Sequence, residues 1–195
     1  MILAIANYGH PVLRQKGKRV DKVTDEIRRL AADMLETMHD ANGVGLAAQQ
    51  VGEPLMLTVI DISPAEQPST MEVNGKTVDP TQFMPLALLN PVVTNPSGEQ
   101  VGPEGCLSIP EVSADITRAA EVDVEALTLD GKKIKFRCGG LLARAAQHEV
   151  DHLNGILFID RMDAATRAGF SGQLKRLQKE TEAALPIKKS KKTAV

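Results

Sequence analysis

The chain has no apolar stretch near the ~20 residues that a membrane-spanning helix needs, and its formal net charge is only −2. We therefore expect neither a membrane protein nor one with direct nucleic-acid specificity. Residues 1–10 lack a charged segment followed by an apolar run, and no Arg-rich, Ser-rich leader is present. This favours a cytoplasmic protein in which the two cysteines, Cys106 and Cys138, stay reduced.

The composition favours one loop-rich domain. Of the 195 residues, 43% are hydrophobic, which is enough for a continuous core, while 15 glycines and 11 prolines are spread along the chain. We predict a single catalytic domain over residues 1–185 and a Lys-rich tail over 186–195. Four of the five residues at 188–192 are lysines, and they form either a solvated end or a contact for an anionic partner.

The hydrophobic pattern predicts helices at 24–41, 141–154 and 163–185, with a weak spot in the last at 169–172. Short β-branched runs predict strands at 55–62 and 86–94. Hairpins are predicted at 71–78, around an Asn-Gly turn, and at 119–139, with a bulge near Ala126 and Leu127 and with Cys138 on the core face. Because turns rather than crossover helices join the strands, we predict an α+β fold with antiparallel β-sheets packed around the central helix at 141–154 and a C-terminal helix.

The segment His148-Glu149-Val150-Asp151-His152 is the strongest chemical signal. Two histidines four residues apart lie on one face of a helix, so both imidazoles can reach one metal ion. Glu149 can accept a proton from water at that ion without being a ligand. An ordinary buried helix would leave these polar groups unpaired, which is energetically costly. The central helix is therefore predicted to bind metal.

A third ligand is expected, because a catalytic metal of this type has three protein ligands and one open position. Downstream, the extended zinc-protease pattern fails, since Phe158 occupies the position of its last histidine. The alternative downstream ligand, a glutamate, is missing from 164–179. Glu180 lies far along a helix expected to face solvent, so the downstream candidates are poor and we favour an upstream ligand.

Cys106 is the preferred upstream ligand, because it lies in the Gly-flanked segment Glu-Gly-Cys-Leu-Ser at 104–108, where the backbone can approach another group closely. His39 and His10 compete with it. However, His39 ends the first helix, where its charge is favourable, and His10 precedes a proline in a turn. A Cys-His-His set suits zinc and ferrous iron.

The third segment is Gly-Val-Gly-Leu-Ala-Ala-Gln-Gln at 43–50. Its small residues allow the backbone to pass close to another group, and the amide of Gln50 could serve a developing oxyanion. The residues equally fit a helix end that runs into tightly packed chain.

In this order and at these separations, the three segments resemble the signature motifs of the peptide deformylases, and the similarity extends over roughly residues 5–180. The resemblance implies that Cys106, His148 and His152 bind a divalent metal together with a water. Glu149 would take the proton of that water and later deliver it to the departing amine.

The resemblance also implies roles around the reacting carbonyl. Its oxyanion would be held by the Gln50 amide, the Leu107 backbone N–H and the metal, while Gly45 would offer backbone hydrogen bonds to the substrate. Glu104 and Asp151 would orient the ligands.

The side chain of the substrate methionine needs an apolar pocket. Leu141, Arg144 and Ala145 precede His148 on its helical face, and Val44 would line the opposite wall. The stem of Arg144 would cover the pocket while its guanidinium reaches solvent.

Two departures from the family pattern are visible. Ser113 stands where many relatives carry a substrate-binding arginine, so that Arg118 or Arg144 would have to compensate. The stretch 63–85 is longer than in compact members, with no evident role.

The expected ion and partners follow from the same resemblance. Ligand chemistry alone favours Zn²⁺, whereas the resemblance implies Fe²⁺, with Zn²⁺, Ni²⁺ or Co²⁺ as substitutes; we predict a divalent metal with Fe²⁺ preferred. The expected substrates are N-formylmethionyl nascent peptides, and the ribosome surface is an expected partner of the C-terminal helix and tail. Two alternatives are a general metallopeptidase and a catalytically silent metal- or ribosome-binding protein.

Overall fold

The computed structural model describes residues 1–185, and the predicted Lys-rich tail lies outside them. In chain order the elements are α1 (Asp25–Asp40), β1 (Gly45–Ala47), β2 (Leu57–Ile60), β3 (Ser69–Val73), β4 (Lys76–Val78), β5 (Leu86–Ser97), β6 (Gln100–Cys106), β7 (Ile109–Arg118), β8 (Glu121–Leu127), β9 (Lys133–Gly139), α2 (Gly140–Leu153), α3 (Ala164–Gly169) and α4 (Ser171–Ala184). None of the helices in this part of the chain is both long and apolar enough to cross a membrane.

Two antiparallel sheets organise the fold. Seven strands form one sheet in the order β1-β2-β5-β8-β9-β3-β4, and β6 and β7 form a separate two-stranded ribbon. Helix α2 packs its Leu142, Ala143 and Ala146 against the large sheet, in a cluster that includes Phe136 and Cys138. The predicted α+β fold, with antiparallel sheets around a central helix, is confirmed.

Helix α1 follows from its sequence as predicted. Thr24 caps it by accepting a hydrogen bond from the Ile27 N–H, and Asp25 and Glu26 occupy the first turn, where the helix dipole favours them. Met34 and Met38, one turn apart, are fully buried. Helix α1 thereby covers the end of the large sheet that carries β1 and β2.

The Asn-Gly hairpin is confirmed, because Asn74 and Gly75 both have positive φ between β3 and β4. The bulge predicted near Ala126 and Leu127 is wrong, since β8 pairs with β9 in one unbroken register. The irregularity lies on β5, where Leu89 to Val92 oppose Leu127 to Glu125. Within it, Asn90 adopts a φ of 51°, and its side chain bonds both backbone groups of Val20.

The C-terminal helical segment is interrupted at the predicted weak spot, with Phe170 between α3 and α4. Leu174 of α4 is buried against the ribbon residues Ile109 and Val112. The ribbon therefore shares its core with α4 rather than with the large sheet.

Cys138 is buried, as predicted, and burial raises the pKa of its thiol to about 12 from an ordinary value of 9.0. Because folding raises this pKa, the buried protonated thiol makes its full contribution to stability below pH 9. This contribution is lost as pH rises from 9 toward 12. We expect Cys138→Ala to lower stability at pH 7 but to flatten the fall in the free energy of unfolding above pH 9. Urea unfolding at pH 7, 9 and 10.5 measures this, and equal alkaline slopes for both proteins would contradict it.

Candidate metal centre and substrate cleft

The sulfur of Cys106 and the ring nitrogens of His148 and His152 form the one metal-ligand cluster found among residues 1–185, with donor atoms within 4.8 Å of one another. The Cys106 Sγ lies 3.2 Å from the Nε2 of His152. Helix α2 presents both histidines, and Cys106 ends β6 at the tight turn into β7. One thiolate and two imidazoles are the donors that Zn²⁺ and Fe²⁺ accept, so the residues present fit a divalent ion.

The other two histidines lie apart from this cluster. The Nδ1 of His10 accepts a hydrogen bond from the Val12 N–H at 3.1 Å. His39, in the last turn of α1, pairs with Asp61 at 2.9 Å. Each therefore has a local structural partner.

His148 is oriented by Glu104, whose carboxylate lies 3.0 Å from the Nδ1 of the ring. Burial alone would raise the pKa of Glu104, but hydrogen bonds from Arg118 and His148 outweigh it and lower the pKa to about 2. The ionised carboxylate accepts the Nδ1–H, so the other ring nitrogen of His148, Nε2, is the one that a metal would bind.

Two buried arginines share this carboxylate. Arg118 donates to both oxygens of Glu104 at 2.9 Å and also to Asp151. Arg144 donates to Glu104 and to the Ile116 carbonyl, each at 2.9 Å. The expectation that the Arg144 guanidinium reaches solvent is therefore wrong, because its buried partners satisfy it. Neither guanidinium is therefore free for the compensating role in substrate binding that was expected of Arg118 or Arg144.

The two histidines differ in protonation. Burial and the neighbouring charge of His148 lower the pKa of His152 well below its ordinary value, so this ring is neutral, as a ligand must be. Burial also disfavours charge on His148, but Cys106 and Glu104 outweigh it and raise the pKa to about 10. A metal must displace this proton on binding, which makes affinity depend on pH.

Glu149 lies beside the cluster with 3% of its surface exposed, and burial raises the pKa of its carboxyl to about 7. The Thr58 hydroxyl approaches one carboxylate oxygen at 3.4 Å and also donates to the Leu46 carbonyl. A carboxyl with a pKa near neutrality can both accept and return a proton at physiological pH.

Gly45 packs directly on this carboxylate. A Cβ at position 45 would lie 2.3 Å from the Glu149 Oε1. We expect Gly45→Ala to displace the carboxylate and to lower kcat roughly 10²-fold, the scale of a 1 Å misplacement. Gly169→Ala is the matched control, because a Cβ there meets nothing within 4 Å. Unchanged kcat in Gly45→Ala would show that the carboxylate tolerates displacement.

Gln50 is buried, and its side chain is held in one orientation. Its Oε1 accepts the Ala47 N–H at 2.8 Å, so its Nε2 points toward Cys106 and Ser108, at 3.5 and 3.3 Å. The amide N–H groups therefore face the cluster, where they can stabilise negative charge on a reacting oxygen.

A cleft of about 610 Å³ opens over the cluster. Ten of the eleven predicted site residues line it, among them Val44, Leu107, Leu141 and Ala145. The exception is His152, which is 1% exposed and lies behind the cleft wall. The structure thus gathers the predicted residues around one cavity.

Sequence reasoning missed three parts of this site. Ala65 and Gln67, from the stretch to which we assigned no role, line the cleft. So do Pro110, Glu111 and Val112 of β7, a strand that was not predicted. Thr58 reaches Glu149 from β2. The alternating pattern could have indicated β7, but no local signal shows where these residues meet.

Comparisons with known proteins match one family along most of the chain. The family model described as polypeptide deformylase matches residues 2–168. A peptide deformylase of Methylacidiphilum infernorum is 42% identical over 190 residues, 97% of this chain and 100% of that protein. One of Opitutus terrae is 43% identical over 189 residues, 96% of this chain and 98% of that protein. The crystal structure of the Thermus thermophilus enzyme is similar with a TM-score of 0.79 and 36% identity, covering 92% of this chain and 99% of that one.

Proposed function

The chain belongs to the polypeptide deformylase family and is a metal-dependent hydrolase that removes the formyl group from formylmethionyl peptides; on this premise we propose a role for each residue of the site. Cys106, His148 and His152 hold the ion. When bound, the ion supplies Lewis-acid chemistry, polarising a carbonyl and lowering the pKa of water. The observation that carries the assignment is the convergence of these three donors, from two separate elements, beside the carboxylate of Glu149.

Glu149 is the general base and then the general acid. Its carboxylate accepts a proton from the attacking water and returns it to the amine as the C–N bond breaks, so that formate and a free amino terminus result. Its position next to the donors and its pKa of about 7 support both steps.

The Gln50 amide and the Leu107 backbone N–H stabilise the oxyanion that develops on the formyl oxygen. The fixed orientation of Gln50 supports this role, because a preorganised donor costs no reorganisation during the reaction. The Gly45 backbone binds the peptide portion of the substrate.

The methionine side chain occupies the part of the cleft between Val44 and the α2 residues Leu141, Arg144 and Ala145. The aliphatic stem of Arg144 contributes wall surface here, while its guanidinium remains bound to Glu104.

We further propose Fe²⁺ as the working ion, with Zn²⁺, Ni²⁺ or Co²⁺ as substitutes, since a Cys-His-His set accepts all four. Because the substrates are nascent chains, the proposed setting is the cytoplasm. The ribosome surface is a proposed partner of α4, which is exposed along much of its length and carries Lys175, Arg176 and Lys179.

The test is formate release from formyl-Met-Ala-Ser by anaerobically purified protein, with metal content measured on the same sample. We expect turnover to be highest in samples that contain iron. Turnover that follows zinc instead would overturn the assignment of the ion. Cleavage of an unformylated peptide, with the formylated one untouched, would instead indicate a general metallopeptidase.

A further inference from the structure

Helix α4 docks on the segment of β7 that lines the substrate cleft. Leu174 is buried with Ile109 and Val112, the two residues that flank Pro110 and Glu111. Pro110 and Glu111 are exposed and line the cleft. The segment thus rests on α4 through Ile109 and Val112, while its exposed residues Pro110 and Glu111 face the cleft.

The backbone of this segment is irregular at the metal ligand. Gly105 pairs with Ser113, but the next residue of β6, Cys106, pairs with Ile109. Residues 110–112 therefore form a bulge opposite the step that ends in Cys106. Glu111 lies at its centre with a φ of 62°, a left-handed conformation that a side-chain-bearing residue keeps only where its surroundings hold it.

A polar contact from α4 holds this residue. The Gln173 Nε2 donates a solvent-exposed hydrogen bond to the Glu111 backbone carbonyl at 3.0 Å. Arg176 also lies 3.6 Å from the Glu111 carboxylate, but both side chains are mostly exposed, so this ion pair contributes little. The contact with Gln173 acts on the strained backbone itself.

We propose that Gln173 is a positioning residue for peptide binding. By holding the Glu111 carbonyl, Gln173 fixes the 110–112 bulge. This bulge forms the part of the cleft wall along which the peptide residues after the methionine lie. This inference rests on the proposed use of the cleft for substrate. Gln173 lies on α4 and takes no part in the chemistry.

Gln173→Glu tests the proposal, because a carboxylate of nearly the same size cannot donate to a carbonyl. We expect KM for formyl-Met-Ala-Ser to rise roughly 3- to 10-fold, the effect of one lost hydrogen bond, with kcat within about 2-fold of the wild-type value. KM for formylmethionine alone should not change, because it ends before this wall. Gln173→Lys, which restores a donor, should recover most of the affinity.

Gln178→Glu is the matched control on the same helix, since Gln178 is exposed and its Nε2 bonds the Glu182 side chain; it should leave both constants unchanged. Hydrogen exchange of a peptide covering residues 109–114 gives a readout besides activity. We expect faster exchange in Gln173→Glu, and a smaller effect of this change in a Glu111→Gly background, where glycine adopts the left-handed conformation without strain.

Unchanged KM for the tripeptide in Gln173→Glu would overturn the proposal, as would a parallel fall of kcat and melting temperature, which indicates a purely structural role. The proposed catalytic roles fail separately. Normal turnover in Glu149→Gln would remove Glu149 from the mechanism, whereas the KM comparison would still decide the role of Gln173.

Discussion

Glu149→Gln is expected to lower kcat for formate release by roughly 10²–10⁴-fold while the protein keeps its metal. Glutamine fills the same space between Gly45 and Thr58 but cannot take a proton from water. The three donors are separate side chains, so metal content should stay at the wild-type level. Steady-state kinetics and metal analysis on the same preparations measure both quantities.

Thr58→Val is the matched comparison for this variant. It removes the hydroxyl next to the carboxylate but leaves the carboxylate itself, so the loss of kcat should be much smaller. If Glu149→Gln turned over at a rate near that of the wild type, another group would have to carry the proton. A loss of metal together with activity would instead make Glu149 part of the metal-binding structure.

Among the substitutions proposed, Glu104→Ala is expected to lower the free energy of unfolding the most. Its carboxylate neutralises Arg118 and Arg144, which are almost fully buried, and it orients His148. Removing one partner of a buried ion pair costs about 3–5 kcal/mol, because it leaves uncompensated charge. Loss of a carboxylate that orients a metal ligand typically lowers metal affinity about 10- to 100-fold. Urea unfolding and competition with a chelator measure the two effects.

Glu104→Gln separates charge from hydrogen bonding, since it can still accept from His148. We expect its stability and affinity to lie between those of the wild type and Glu104→Ala. Wild-type stability with Glu104→Ala would show that the two arginines find other partners.

Acid provides a second test of the same group. The pKa of Glu104 is lowered on folding from an ordinary 4.5 to about 2, so its contribution is fully present above pH 4.5 and is lost as pH falls toward 2. The free energy of unfolding should therefore fall less steeply over this range in Glu104→Gln than in the wild type. Parallel curves of the free energy of unfolding against pH for the two proteins would contradict a lowered pKa of Glu104.

The parts of the fold that were predictable are those with local signals. The capping of α1 by Thr24, the turn at Asn74-Gly75 and the burial of Cys138 each depend on residues close in sequence. The spacing of His148 and His152 likewise fixes their common helical face. Such features can be predicted from sequence because residues close to one another in the chain determine them.

What could not be predicted depends on long-range packing. The guanidinium of Arg144 is drawn inward by Glu104, 40 residues away, and no periodicity reveals this. The bulge is on β5 rather than β8, and Asn90 within it bonds Val20, 70 residues away. The placement of Ala65 and Gln67 in the cleft wall also requires the folded chain.

The separation of the core into clusters has a consequence for how the folded protein responds to its ion. Cys106 belongs to the ribbon that packs with α4, whereas His148 and His152 belong to the helix on the large sheet. An ion bound by all three would crosslink these two parts of the core and would contribute about 2.7 kcal/mol at a free concentration 100 times its dissociation constant. We therefore expect chelation to weaken the packing of the ribbon against α2.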